Sequence, residues 1–238
     1  MGFNTARKIL DVFRLINKER ASVASQVFEY TYEIDNAVDG ELDVEESKIL
    51  LLEERIEIQK AKTQLSKHPF LNNISKVNPQ TSELIYTGLD RMIDAFKCDV
   101  QIRESKTPLS EKQLRERNYL MNGTPFHLAY EFIHDEPFKE PAQLPELIYY
   151  WTIYDALKDL EEDIQNKIYL LPKEKMEAYR VEKENIRTYD KLKQDLKLES
   201  SRKMYKLAPI FKDSNMNRVE ELILRSYFIS RSLKAKHI

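Results

Sequence analysis

Reactive side chains are scarce in this 238-residue chain, which has four histidines, one cysteine and four glycines. His68, His127, His134 and His237 are too few for most histidine-rich metal sites. One stretch gathers metal-binding residue types: His127, Glu131, His134 and Asp135. On a helix the first three share a face. His127 and His134 then stand about 10 Å apart along the axis at 1.5 Å per residue. That is too far for one ion with ligand bonds of ~2.1 Å. At most one of the pairs His127/Glu131 and Glu131/His134 can contribute to a single site, and the set to weigh is Glu131, His134 and Asp135. Cys98 has no histidine near it in sequence and reads as a small buried hydrophobe on an amphipathic helix. One cysteine also excludes a disulfide framework or a four-cysteine zinc module.

Glu131-Phe132-Ile133-His134 is similar to the Glu-x-x-His element of ferritin-like di-iron bundles, which need two such elements and two further glutamates. The chain holds one. His134-Asp135 resembles the His-Asp doublet of the HD phosphohydrolases. That resemblance implies an all-helical, metal-dependent phosphohydrolase with an upstream histidine and a downstream aspartate. His68 and either Asp155 or Asp159 would take those roles. Glu136-Pro137 follows the doublet here, where that family carries small residues.

Two further groups point to binding rather than catalysis. The run Tyr149-Tyr150-Trp151-Thr152-Ile153-Tyr154 wraps more than half of a helix. One face must pack inward, and Tyr149, Tyr150, Trp151 and Tyr154 are candidates for a partner-binding face, aromatics being enriched at interface hot spots. From Lys173 onward, tyrosines interleave with basic residues, among them Arg202, Lys203 and Lys206. Such a mixture can track a nucleic-acid backbone, although Glu174, Glu177, Glu182 and Glu184 cancel much of its field. The chain has a net charge of −2, which divides into −9 over residues 1–172 and +7 over residues 173–238. No Gly-rich phosphate loop, nucleophile elbow or His-Glu-x-x-His occurs. No cofactor is implied, and the lack of a complete catalytic set favours a non-enzymatic protein.

The elements that must position these residues are helices. So few glycines disfavour β-sandwiches, propellers and Rossmann-type folds, which need tight turns. Thr5 to about Val38 carries an apolar stripe at helical spacing and ends at Asp39-Gly40. Asp43-Val44-Glu45-Glu46 reads as a capping box opening a helix to about Ser66. There Val44, Leu51, Ile58 and Leu65 form a heptad line that Ile49, Leu52 and Ile56 widen. His68-Pro69 stops that helix, and 69–78 forms a connector. Pro79 opens a helix to about Glu104, with Gly88 at a point of close packing. Ser110 to Gln113 forms a second box, Asn122-Gly123 a stop, and Thr124-Pro125 a cap with first-turn proline. The stretch 135–143 is irregular. Pro145 opens a helix to about Leu170, 173–206 is a highly charged helical stretch, Pro209 breaks it, and Asn217 caps the last helix.

The expected fold is an all-α, multi-helix bundle with a long N-terminal antiparallel helical hairpin and charged C-terminal helices. Residues 1–172 would form an acidic bundle and 173–238 basic helices packed on it or extending from it, or the whole would be a single domain. The expected function is a helical interaction protein, an adaptor, inhibitor or assembly subunit, with a protein partner or a second copy of itself. A metal-dependent phosphohydrolase at His134/Asp135 is the first alternative, and nucleic-acid binding by the basic third the second. Without a signal-like start or a ~20-residue apolar run, the expected location is cytoplasmic, with no membrane partner.

Overall fold

A computed structural model describes residues 17–165, 170–179 and 189–234. The chain is all-helical, with no strand among the described residues. It divides into two compact units. The first comprises Met1–Glu104 and Leu120–Phe138, the second Ser105–Tyr119 and Lys139–Ile238. Pro172, where the charge balance changes, lies inside the second unit.

The first unit is built from α1 (Lys18–Asn36), α2 (Val44–Ala61), α3 (Pro69–Ile74), α4 (Pro79–Ser105) and α6 (Thr124–His134). Of the helix expected from Thr5 to about Val38, the described part begins at Lys18. Asn17 is extended, and its side chain accepts the Arg20 amide at 3.1 Å, capping α1 there. Residues 5–16 lie outside the described ones. Gly40 does not act as a left-handed stop, because no glycine among the described residues has a positive φ. Instead a π-turn, Ala37–Glu41, carries the chain out of α1. The capping box at Asp43 and Glu46 forms in both directions. Residues 69–74 are a short helix rather than a connector, with His68 extended before Pro69.

Tyr30, Ile34 and Val38 share one core with Leu51, Ile58, Ile85, Leu89, Ile93, Phe96 and Ile133. Tyr30 donates to buried Glu54 at 2.9 Å, and His68 bonds the same carboxylate oxygen at 2.9 Å. Gly88 lies beneath Leu128, so α4 and α6 approach closely there. The heptad line on α2 is only partly internal. Leu51 and Ile58 are fully buried, whereas Leu65 is 73% exposed. Ile49, Leu52 and Ile56 do not widen the buried face but are 58%, 59% and 45% exposed. At 100° per residue they lie about 160°, 100° and 140° round the axis from Leu51, and so on the outer side.

The second unit consists of α5 (Glu111–Asn118), α7 (Leu144–Gln165), α8 (Lys173–Ala178), α9 (Tyr189–Leu207) and α10 (Arg218–Lys234). The boxes at Ser110/Gln113 and Asn217/Glu220 both form. After α5, the expected stop at Asn122-Gly123 is instead a π-turn, Tyr119–Gly123, that runs directly into α6. Gly123 there is right-handed, and Thr124 begins the helix rather than capping it. Pro209 falls in a 3₁₀ turn, Ala208–Asp213. Buried Ser201 donates to the Ser232 carbonyl at 2.6 Å. Two such small residues let α9 and α10 lie close together. No helix among the described residues is long and apolar enough to cross a membrane.

Candidate functional site

The residues singled out for metal binding are engaged elsewhere. His134 ends α6 stacked on Tyr130, with ring centroids 4.3 Å apart. Glu131 is buried, faces His127 Nδ1 at 3.8 Å and accepts the Phe138 amide at 3.4 Å. Asp135 adopts the left-handed conformation at the end of α6, a position aspartate tolerates. Its carboxylate accepts Arg20 Nη2 at 3.0 Å. Burial works to raise its pKa, but Thr81 and Arg20 beside it prevail and hold it below the usual carboxylate value. Of the residues in the upstream and downstream roles, His68 is bonded to Glu54, and Asp155 accepts Arg231 at 2.8 Å in the second unit. The Asp159 side chain and His237 lie outside the described part of the structure.

The aromatic run is interior to the second unit. Tyr149, Tyr150, Trp151 and Tyr154 are 3%, 7%, 3% and 6% exposed. Because they wrap around α7, each meets a different neighbour. The Arg115 guanidinium lies 3.7 Å from the Tyr149 ring centre. Tyr150 donates to Glu199 at 3.3 Å, and Trp151 packs edge-on against Tyr227 and Phe228. Burial raises the Tyr149 hydroxyl pKa, with Glu111 adding to the effect. These side chains hold α7 to α5, α9 and α10 and present no outer face.

Arg202, Lys203 and Lys206 do come together, lining an open groove along α9 with Asp195, Leu198 and Glu199. Lys203 is paired with Glu146 at 2.9 Å, and Glu199 with Lys175 at 3.2 Å. The groove therefore carries mixed charge rather than a continuous positive field.

Among the described residues, the group of acidic, histidine or cysteine side chains whose ligand atoms converge is Asp35, Asp39 and Asp99. One oxygen from each lies within 4.8 Å of the others. Asp35 is in the last turn of α1, and Asp39, four residues on, in the π-turn. The i, i+4 spacing sets both on one side. Asp99 comes from α4 and is completely buried. Arg103, one turn further along α4, donates to the carbonyls of Val38 and of Leu42, the latter at 2.8 Å. Those carbonyls flank Asp39, so the guanidinium fixes the turn that carries Asp39 to the helix that carries Asp99.

A small open cleft of about 40 Å³ adjoins Asp35. Phe28, Thr31, Tyr32 and Asp35 line it from α1, Met92 and Phe96 from α4, with Met121 and Pro125 closing one side. On α1 the lining ends at Asp35, with Asp39 four residues further on, and on α4 it ends at Phe96, with Asp99 three residues further on. The cleft is thus apolar and aromatic, with the carboxylate of Asp35 in its lining. Oxygens within 4.8 Å of one another are near enough for one cation with oxygen bonds of roughly 2.0–2.6 Å to reach all three. All-oxygen, all-carboxylate donors select a hard divalent cation over a thiophilic one.

Sequence reasoning treats Asp39 only as part of a helix stop and passes over Asp35 and Asp99. Two signals are present. Asp35 and Asp39 are like charges at i, i+4, an arrangement that destabilises a helix. Asp99 sits between Phe96 and Val100 inside an apolar stripe, where a carboxylate needs polar partners. No protein-family model, curated protein or solved structure matches the chain.

Proposed function

We propose that the chain binds a hard divalent cation, of the Mg²⁺ or Mn²⁺ type, through Asp35, Asp39 and Asp99. The cation would hold a phosphate group presented at the mouth of the small adjoining cleft. The observation that carries this reading is the convergence of three carboxylates from two helices and a turn, one of them in the lining of an aromatic cleft. Mg²⁺ dehydrates reluctantly and is commonly held by one or two carboxylates together with the phosphates of a substrate. Asp35 lines the cleft, so an ion on the trio has coordination positions open toward it. A phosphate oxygen is the hard, anionic donor that would complete them.

Within this reading each residue has a separate task. Asp35 would face the cleft side of the ion, Asp39 would hold it from the turn, and buried Asp99 would close the side toward α4. Arg103 positions the turn. Phe28, Tyr32, Met92 and Phe96 give the ion an apolar border beyond Asp35. A cation at the phosphate end would stabilise negative charge developing there, so the reaction class supported is metal-assisted chemistry at a phosphate ester or anhydride. This shifts the metal-dependent alternative from His134 and Asp135 to three aspartates.

Isothermal titration of the full chain with Mn²⁺, alone and with inorganic pyrophosphate, tests the proposal. Saturable binding near one ion per chain, tightened by pyrophosphate and lost in Asp35→Asn with Asp39→Asn, is the expected result. The pair is half-exposed, so the variant keeps its fold by far-UV circular dichroism. Mn²⁺ binding equal in the double variant and the wild type would overturn the assignment.

A further inference from the structure

We infer that the outer face of α2 is a self-association surface, on which two copies of the chain pair antiparallel about a twofold axis beside Leu52. This is independent of the cation site. α2 is apolar on two opposite sides. Leu51, Ile58 and Ala61 are fully buried against the core of their own unit. Ile49, Leu52 and Ile56 form a second stripe on the far side, each about half exposed. Those three are spaced i, i+3, i+7, the spacing of a continuous seam along a helix. A surface helix ordinarily turns charge outward, and contiguous exposed apolar residues mark an interaction site.

Two charges that flank the stripe, Glu45 and Lys60, match a second copy, with exposed Glu53 beside Leu52 at the axis. Glu45, at the start of α2, and Lys60, at its end, have side chains 76% and 49% exposed. Ile49 and Ile56 share a midpoint between residues 52 and 53, and so do Glu45 and Lys60. A twofold axis through that midpoint, perpendicular to the helix, places Ile49 against Ile56 of the second copy. It also places Glu45 against Lys60 of the second copy and brings the two Leu52 side chains together. Every contact then occurs twice, as an isologous interface requires. The present partners of both charged residues are i, i+3 neighbours, Lys48 for Glu45 and Glu57 for Lys60. The exposed Glu45–Lys48 pair is weak and exchangeable, and Lys60, which also holds buried Glu57, would meet Glu45 of the second copy beside that contact. The two helix dipoles run antiparallel as well, so opposite ends meet.

Sedimentation velocity of the full chain over a range of concentrations tests this. The wild type is expected to be in monomer–dimer equilibrium, with dimer prominent by roughly 100 µM. Leu52→Glu places two carboxylates at the axis and should raise the dissociation constant at least about tenfold. Its side chain is already exposed, so far-UV circular dichroism and melting temperature should not change. Glu45→Lys alone should weaken the dimer, and Glu45→Lys with Lys60→Glu, its fold checked by melting temperature because Lys60 also holds Glu57, should restore it, a rescue that general surface stickiness would not produce. A wild type that stays monomeric to about 100 µM, a dimer indifferent to Leu52→Glu, or a charge swap without rescue would each overturn the inference.

Discussion

Gly88→Ala places two well-characterised effects in opposition, and the structure decides between them. Gly88 lies within α4, where replacing glycine by alanine ordinarily stabilises a helix by about 0.8–1.0 kcal/mol. A Cβ built on Gly88, however, would lie 2.4 Å from Leu128 Cδ2, 2.9 Å from its Cγ and 3.2 Å from its Cδ1. All three atoms belong to one buried side chain, 7% exposed, so Leu128 must leave its position or α6 must move away. Overpacking of this kind costs about 1–3 kcal/mol. The difference is a net loss of about 1 kcal/mol, opposite in sign to helix propensity.

The same geometry gives a second, sharper outcome. Leu128→Ala alone removes a buried leucine and should cost about 2–5 kcal/mol. In that background the methyl group added at position 88 enters the vacated space, and Gly88→Ala should stabilise by about 1 kcal/mol, the helix term acting unopposed. The substitution therefore changes sign with the residue at position 128, a coupling of about 2 kcal/mol. Urea titration followed by far-UV circular dichroism measures it. Trp151, the chain's one tryptophan, lies in the other unit and would report on the wrong part of the molecule. Gly88→Ala stabilising the chain with Leu128 in place would refute the argument, because α4 and α6 would then not depend on a missing side chain.

Two further outcomes follow from particular contacts. Glu57 accepts Lys60 Nζ at 2.8 Å, the Lys67 amide at 2.7 Å and Ser66 Oγ at 3.0 Å. Led by Lys60, these hold its pKa down from 4.5 to about 2. Its folded value lies below its unfolded one, so the stability it lends is present above pH 4.5 and disappears as the pH falls toward 2. Glu57→Gln should flatten the decline of the urea midpoint across that window, and an unchanged decline would count against the contact. Arg103→Lys keeps a positive charge but replaces a planar fork that reaches two carbonyls with a single ammonium. On the cation reading it should weaken Mn²⁺ binding by roughly 10–100-fold, as loss of an outer supporting contact does. Equal affinity in titration calorimetry would remove Arg103 from the site.

Backbone and site differ in how far the sequence alone reveals them. Capping residues act within one turn, so the boxes at Asp43, Ser110 and Asn217 are visible in sequence, and all three form. The helix ends at Gly40 and Gly123 are easily misread. Each lies in a π-turn with right-handed backbone, and nothing local distinguishes that turn from a left-handed glycine stop. The aromatic run is a conspicuous group, but its neighbours Arg115, Glu199, Tyr227 and Phe228 come from distant stretches, so burial on all sides is not legible in the run itself. Asp99 stands 60 residues beyond Asp39, and only the return of α4 beside α1 makes the three carboxylates one group. His134 and Asp135 draw notice because they are adjacent in sequence, but adjacency on a chain does not aim two side chains at one point.

The orientation of α2 shows the same limit and its physical resolution. A stripe through Leu51 and Ile58 and a stripe through Ile49, Leu52 and Ile56 are equally apolar, and periodicity alone cannot say which faces inward. Charge pairing across to α4 decides it. Lys48 reaches Glu104 at 2.9 Å, Arg55 reaches Asp90 at 2.8 Å, and Lys62 reaches Glu83 at 3.0 Å. These run up α2 and down α4, so the two helices are antiparallel, and the three cations recur every seven residues along one flank of α2. Rotating the helix to bury Ile49, Leu52 and Ile56 would carry all three cations away from their carboxylates and expose Leu51, Ile58 and Ala61. It would also turn Glu54 and Glu57 away from the Tyr30 hydroxyl, His68 and the Lys67 amide that they now accept. Exposed ion pairs add little energy individually. Here they choose between two apolar faces of similar hydrophobicity, and the face they leave outside is the one free to meet a second copy.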